Sequence, residues 1–233
     1  MRFYEIDAVR GSAIIAMISF HLFYDLDFMG YYDMDTASGF WWALPRAIAS
    51  VFIFIAGVSL ALSYSSGKVD FRHYAFRGLW IFMWGLVITF VTYIAVPYAY
   101  IRFGILHFMG LAAVLSYPLL KGRAMNLVLG FISIVLGFVL KTVSVSYTYL
   151  VWLGVKPYFF RTLDYFPLFP WFGVLLVGIA AGNFFYPEHR RRIRLRELPH
   201  LEPLCFIGRH SLTIYLIHQP VLLFMMWILG KVI

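Results

Sequence analysis

The first long apolar stretch of the chain, "DAVRGSAIIAMISFHLFYDLDF" at 7–28, carries side chains of the types that perform acid–base chemistry. A helix turns about 100° and rises about 1.5 Å per residue, so Arg10 and His21 would share one face, about 16 Å apart. Asp7 and Asp25 fall near the same face, three residues before Arg10 and four after His21. Such groups cost about 2.5–3.5 kcal/mol each inside a bilayer, so this face should line a bundle interior or a wet cavity.

The two ends of this face predict different tasks. A carboxylate one turn from an imidazole can fix its tautomer and raise its basicity, so His21 with Asp25 is typical of a general base. Arg10 should lie at the cytoplasmic edge, where Asp7 could neutralise it. The alternative for His21 and Asp25 is a hydrogen bond that only locks the helix at the membrane edge.

The composition identifies the solvent that surrounds these groups. Of 233 residues, 62% are hydrophobic and only 13% are charged, which excludes an ordinary soluble domain and predicts a polytopic α-helical membrane protein. The net charge of +8 comes from basic residues in short loops between apolar runs, so it indicates membrane topology and no nucleic-acid partner. The single cysteine, Cys205, excludes an internal disulfide and a thiolate metal site, and we expect an inert thiol and no metal.

The hydropathy pattern predicts an all-α integral membrane bundle of about seven transmembrane helices, forming one domain over 1–233. The predicted spans are 8–28, 46–65, 76–96, 102–120, 124–141, 166–186 and 206–230. Basic residues favour one set of loops, which predicts a cytoplasmic N-terminus and an outer C-terminus in a multi-pass protein of the cell membrane. The aromatic loop at 142–165 is expected outside, as an interfacial helix or a re-entrant segment.

Other polar side chains fall within or beside the predicted spans. His107 is expected in the outer part of the fourth span, at a depth similar to His21. In the seventh span Ser211, Tyr215 and His218 have the i, i+4, i+7 spacing of one helix face. For each histidine the alternative is an interhelical hydrogen bond.

Five ordered segments carry a resemblance to membrane acyltransferases. They are "IDAVRGSAI" at 6–14, "FIFIAGVSLALS" at 52–63, "IRFGILHFMGLA" at 101–112, "PLFPWFGVLLVG" at 167–178 and "IGRHSLTIYLIHQP" at 207–220. Together they resemble the heparan-α-glucosaminide N-acetyltransferase catalytic family, and the Arg10 to His21 spacing resembles the first span of acyltransferase type 3 proteins. The resemblance implies transfer of an acyl group, typically acetyl, from cytosolic acyl-CoA to a sugar hydroxyl or amine across the membrane.

The resemblance also implies roles for the candidate residues. The anionic head of acetyl-CoA would dock near Arg10, with further help from the cations Arg77 and Arg209. His210 and Ser211 would add polar groups where the last helix is expected to begin, since helix N-termini favour phosphate.

On the outer side the resemblance predicts the chemistry and the acceptor site. His21, aided by Asp25, would act as general base or transient acyl carrier, with His107 as the reserve catalytic histidine. Tyr215, His218 and Trp171 would bind the acceptor. Trp171 lies at the mouth of the sixth span, where an interfacial aromatic belt is the alternative.

Other functions stay open at this stage. An intramembrane chain of Asp, His and Arg is also expected in a proton-coupled transporter or channel. A non-catalytic membrane subunit is a third reading, and the sequence leaves open whether the chain forms a homodimer.

Overall fold

A computed structural model describes residues 3–67, 70–193 and 199–232. The architecture is all-α, as predicted. The helices are α1 (Tyr4–Phe28), α2 (Gly39–Ser65), α3 (Phe71–Ala95), α4 (Ile105–Leu115), α5 (Ala124–Leu140), α6 (Leu168–Phe185), α7 (Glu202–Arg209) and α8 (Ser211–Val232). Two short strands, β1 (Ser144–Val145) and β2 (Lys156–Pro157), pair in parallel in the loop between α5 and α6.

Within the described ranges, five helices are long and apolar enough to cross a membrane: α1, α2, α3, α6 and α8. Helices α4 and α5 are apolar but shorter. Many large apolar side chains on α3, α5 and α8 are exposed, which is expected where lipid is the solvent. The class of a multi-pass helical membrane protein is confirmed, whereas the count of seven spans stays a prediction, because α4 and α5 are shorter than the other five helices.

The chain forms two compact units. The first contains α1, the part of α2 up to Ile55, α7 and α8. The second contains the rest of α2 from Ala56, α3 to α6 and the two strands. Each unit has its own internal packing.

In the second unit, the turn between α4 and α5 is held by two asparagine side chains. The Asn183 amide donates to the carbonyls of Leu120 and Gly122 at 2.8 and 3.0 Å. The Asn126 amide donates to the carbonyls of Leu119 and Gly122 at 2.8 and 3.1 Å. Carbonyls that no helix satisfies are therefore paired by side chains from α5 and α6.

The aromatic loop at 142–165 differs from its prediction as an interfacial helix, because all of it is described and none of it is helical. The loop is ordered by hydrogen bonds to the segment between α3 and α4. Leu163 donates its backbone N–H to the Ala99 carbonyl at 2.8 Å. The Asp164 carboxylate accepts the Ile105 N–H at 2.9 Å and so caps the start of α4.

The predicted seventh span begins too early and joins two helices. Helix α7 ends at Arg209, and α8 starts after His210, which has non-helical backbone angles. No proline or run of glycines marks this break, which is why hydropathy merged the two helices. Arg209 therefore lies at the end of the short helix α7 and not, as predicted, at the start of the last span.

Candidate functional site

The polar face of α1 lies on one uninterrupted helix, as the spacing of its residues required. At its first end Arg10 Nη1 lies 3.2 Å from Asp7 Oδ1, the ion pair expected from the sequence. The same nitrogen lies 3.4 Å from the backbone carbonyl of Gly208 in α7. Both side chains of the ion pair are largely buried, so Arg10 is held in place at the crossing of α1 and α7.

The crossing depends on two glycines that bring the backbones into contact. A Cβ at Gly11 would overlap the Leu204 carbonyl oxygen, and a Cβ at Gly208 would overlap the Asp7 carbonyl oxygen. Any side chain would therefore have to push the helices apart. Beside this contact Cys205 is buried and its Sγ lies 3.4 Å from the Tyr4 carbonyl oxygen. Burial raises the pKa of the Cys205 thiol, as expected for an inert core cysteine.

The other predicted cofactor groups of this unit lie around the break between α7 and α8. The Arg209 guanidinium is 2.5 Å from Glu202 Oε1, and this hydrogen bond raises the pKa of Arg209. His210 is exposed, and its Nδ1 is 2.9 Å from the Phe206 carbonyl oxygen. Ser211 is the first residue of α8. These three residues are adjacent in the chain, and their binding of a cofactor stays a prediction.

At the other end of the polar face, His21 contacts His218 of α8. Their ring centroids are 4.8 Å apart and the ring planes are nearly perpendicular. His218 is 8% exposed, and the Tyr215 ring lies 5.4 Å from it. The sequence had placed both histidines on the outer side, His21 as the base and His218 as an acceptor-binding residue, and the fold brings the two rings into contact.

Asp25 is bonded to a residue that sequence reasoning missed. Gln219 Nε2 lies 2.8 and 2.9 Å from the two carboxylate oxygens of Asp25, which is 6% exposed. Among the described residues Asp25 makes no hydrogen bond to His21. The spacing of four residues placed them on one face correctly, but the amide across the helix interface takes the carboxylate.

The tautomers of both histidines follow from their own helices. His21 Nδ1 is 2.9 Å from the Met17 carbonyl oxygen, and His218 Nδ1 is 2.6 Å from the Tyr215 carbonyl oxygen. A carbonyl only accepts, so each Nδ1 carries hydrogen and each neutral ring has its lone pair on Nε2. His21 Nε2 has no hydrogen-bond partner in the described part of the chain, which is the state that a general base needs.

Contacts along α1 show that α1 and α8 run in the same direction. Arg10 meets Gly208 just before α8 begins, and His21 meets His218 farther along both helices. The arrangement therefore has a cationic end and an imidazole end on one face. Residues between them, such as Ile14 and Met17, are apolar.

The second unit contains the remaining histidine of the predicted catalytic set. His107 is 2% exposed, and its Nδ1 accepts the Gly104 N–H at 3.2 Å. Its Nε2 lies 3.3 Å from the Thr89 hydroxyl, which itself donates to the Ile101 carbonyl at 2.6 Å. Both ring nitrogens thus have partners that cap α4 and join it to α3. These contacts are those of a structural histidine, and a catalytic role for His107 stays a prediction without support from its geometry.

Two further predicted residues lie in the second unit. Arg77 is exposed on α3, one turn after the buried Tyr74. Trp171 is half-buried in the first turn of α6, with its ring 4.9 Å from that of Phe166. Among the described residues no group of three or more His, Cys, Asp or Glu side chains is placed to hold a metal ion.

Comparison with known protein families gives a match that covers nearly the whole chain. No curated protein and no solved structure matches this sequence. The model of the family described as "Heparan-alpha-glucosaminide N-acetyltransferase, catalytic" matches residues 2–220. That range includes both ends of the polar face of α1 and the partners that α7 and α8 supply. The chain therefore belongs to the heparan-alpha-glucosaminide N-acetyltransferase catalytic family, a family of membrane acetyltransferases.

Proposed function

We propose that this protein transfers an acetyl group from cytosolic acetyl-CoA to a hydroxyl or amine of a sugar on the outer side of the cell membrane. Family membership supports an acetyltransferase over a transporter or channel. The observation that carries the proposal is the polar face of α1, with Arg10 at one end and His21 about 16 Å away. This separation suits a donor whose anionic head and reactive thioester are joined by a long uncharged arm.

In the proposed reaction His21 Nε2 removes the proton from the acceptor hydroxyl or amine. The acceptor oxygen or nitrogen then forms a bond to the acetyl carbonyl carbon, and the bond between that carbon and the CoA sulfur breaks. The thiolate leaves with the electron pair and takes up the proton, which gives CoA with a free thiol. Base catalysis contributes about 10²–10⁴-fold, so positioning of the thioester must supply much of the remaining acceleration.

The cytosolic end is tested by acetyl-CoA affinity. Changing Arg10→Ala is expected to raise the dissociation constant about 10- to 100-fold, the effect of losing a charge-assisted hydrogen bond. Binding is measured by titration of purified protein with radiolabelled acetyl-CoA, and transfer of label to a sugar is followed in the same sample.

Two controls separate binding from stability in this experiment. Changing Asp7→Asn removes the ion pair but keeps the cation, so it should leave affinity unchanged or raise it. Changing the exposed Arg190→Ala should have no effect. If Asp7→Asn lowers the affinity for acetyl-CoA as much as Arg10→Ala does, the role of Arg10 is structural. A folded wild-type protein that binds no acetyl-CoA would contradict the proposed function itself.

We propose that the chain forms a single transmembrane acyltransferase domain of seven spans, with its N-terminus in the cytosol and its C-terminus outside. The common direction of α1 and α8 supports an odd number of crossings. Alkaline phosphatase fused after residue 233 is therefore expected to be active. Green fluorescent protein fused at the same place is expected to be non-fluorescent. The same reporters fused in the loop after Ser65 should give the reverse result, and a fluorescent C-terminal fusion would contradict this topology.

A further inference from the structure

Two adjacent residues of α8 contain buried hydrogen-bond acceptors that have no partner among the described residues. His218 Nε2 and Gln219 Oε1 are both inaccessible to solvent, and neither makes a hydrogen bond within the described residues. A buried acceptor without a partner costs about 1–3 kcal/mol, and folded proteins leave few of them unpaired. Two neighbouring ones indicate that a group outside the described residues supplies the donors.

The orientation of both side chains is fixed by their other contacts. The Asp25 carboxylate only accepts hydrogen bonds, so the Gln219 amide must turn its nitrogen toward Asp25, and its oxygen is left unpaired. The Tyr215 carbonyl likewise takes the Nδ1 hydrogen of His218. Neither acceptor can be satisfied by a simple flip of its side chain.

Both acceptors belong to the cluster that contains the proposed general base. His218 contacts His21, and Gln219 bonds Asp25, which lies one turn after His21 on α1. A ligand bound to these two acceptors would therefore lie beside His21. Because both atoms are closed to solvent, α1 and α8 must part locally to admit the ligand.

We propose that His218 Nε2 and Gln219 Oε1 bind the acceptor sugar through a group that donates two hydrogen bonds. An amino group or a pair of neighbouring hydroxyls has this chemistry. The inference rests on the proposed function and assigns a binding residue, Gln219, to which the sequence analysis gave no role. His218 is a binding residue in this assignment, and His21 remains the base.

The test compares two substitutions that remove one acceptor each. Gln219→Lys keeps a donor for Asp25 and removes the acceptor oxygen. If the role of Gln219 were only to bond Asp25, this change would leave sugar binding intact. His218→Phe keeps a ring beside His21 and removes Nε2. The probes are methyl α-glucosaminide and methyl α-glucoside, with saturating labelled acetyl-CoA. Each substitution is expected to raise KM about 10- to 100-fold and to change kcat less.

The two probes distinguish the sources of the donor group. A KM increase confined to the glucosaminide identifies an amino group, and an increase with both sugars identifies hydroxyls. Sugar binding is also measured without acetyl-CoA, by the shift in Tm of the purified wild type and of both variants. This second measurement remains readable if acetyl transfer itself fails, so it separates this inference from the proposed function.

Two results would overturn the assignment. One is a Tm of the wild type that neither sugar raises. The other is a Gln219→Lys variant that binds sugar as the wild type does, which would mean that the acceptors hold ordered water only.

Discussion

Changing His21→Ala is expected to lower the rate of acetyl transfer about 10²–10⁴-fold, because the acceptor then loses its base. Acetyl-CoA affinity should stay within about twofold of the wild type, since Arg10 lies about 16 Å away along α1. Single-turnover transfer of labelled acetyl groups measures the chemical step, and equilibrium binding measures the affinity. A lower transfer rate with unchanged affinity would show that the substitution removes stabilisation of the transition state and leaves donor binding intact.

A matched control for this substitution is His73→Ala. His73 is exposed at the start of α3, in the second unit. The His73→Ala variant is expected to transfer acetyl groups at the wild-type rate. His21→Ala protein that retains its Tm and its transfer rate would contradict the assignment. Label that stays on the wild-type protein when no sugar is present would instead identify His21 as an acyl carrier.

The second large effect is expected at the crossing of α1 and α7. Changing Gly208→Val places a side chain where the Asp7 carbonyl oxygen lies, and backbone atoms cannot move aside as a flexible side chain would. Overpacking typically costs about 1–3 kcal/mol or more, which lowers Tm by several degrees in a chain of this size. Thermal denaturation of the purified protein measures this change.

Gly230→Ala is the control for the crossing, because a Cβ at Gly230 would meet no atom within 4 Å. It should leave Tm unchanged. Gly208→Val should also weaken acetyl-CoA binding, since the displaced α7 would no longer hold Arg10 at the Gly208 carbonyl. A variant with wild-type Tm and wild-type affinity would show that the two helices can separate without cost.

The sequence predicted the polar face of α1 because helical geometry is local. Arg10 pairs with Asp7, and His21 and Asp25 lie toward the same neighbouring helix, all on one continuous element. Asp7 and Arg10 are about one turn apart, as are His21 and Asp25, and about three turns of the same helix separate the two pairs. Spacing along the chain is sufficient information for such an arrangement.

The partners across the helix interface could not be predicted in the same way. Gln219 carries no charge and follows His218 in a long apolar helix, so nothing in its neighbourhood indicated that it would bond Asp25. Its place next to Pro220, inside the segment that carried the family resemblance, was the available signal. Contacts between residues nearly 200 positions apart depend on packing, and periodicity does not report packing.

The role of His107 and the break at His210 could not be predicted for the same reason, since both depend on contacts that residue type and hydropathy do not report. His107 has the ring of a base but the contacts of a helix cap, because the segment before α4 needs partners for its backbone groups. The break at His210 likewise follows directly after Gly208, whose backbone lies against α1. In both cases backbone hydrogen bonding or packing, rather than hydrophobicity, determines the structure.

The polar cluster joins residues of the first helix to residues of the last helix, and this order along the chain has a consequence for biosynthesis. His21 and Asp25 are made first, and their partners His218 and Gln219 are made after the whole second unit. During translation the carboxylate of Asp25 must therefore enter the membrane before the amide that will bond it exists. A ribosome stalled before α8 would hold a chain with a complete second unit and an Asp25 that lacks its Gln219 partner. The proposed acceptor site is thus the last part of this protein to assemble, and it exists only when the final helix has been inserted.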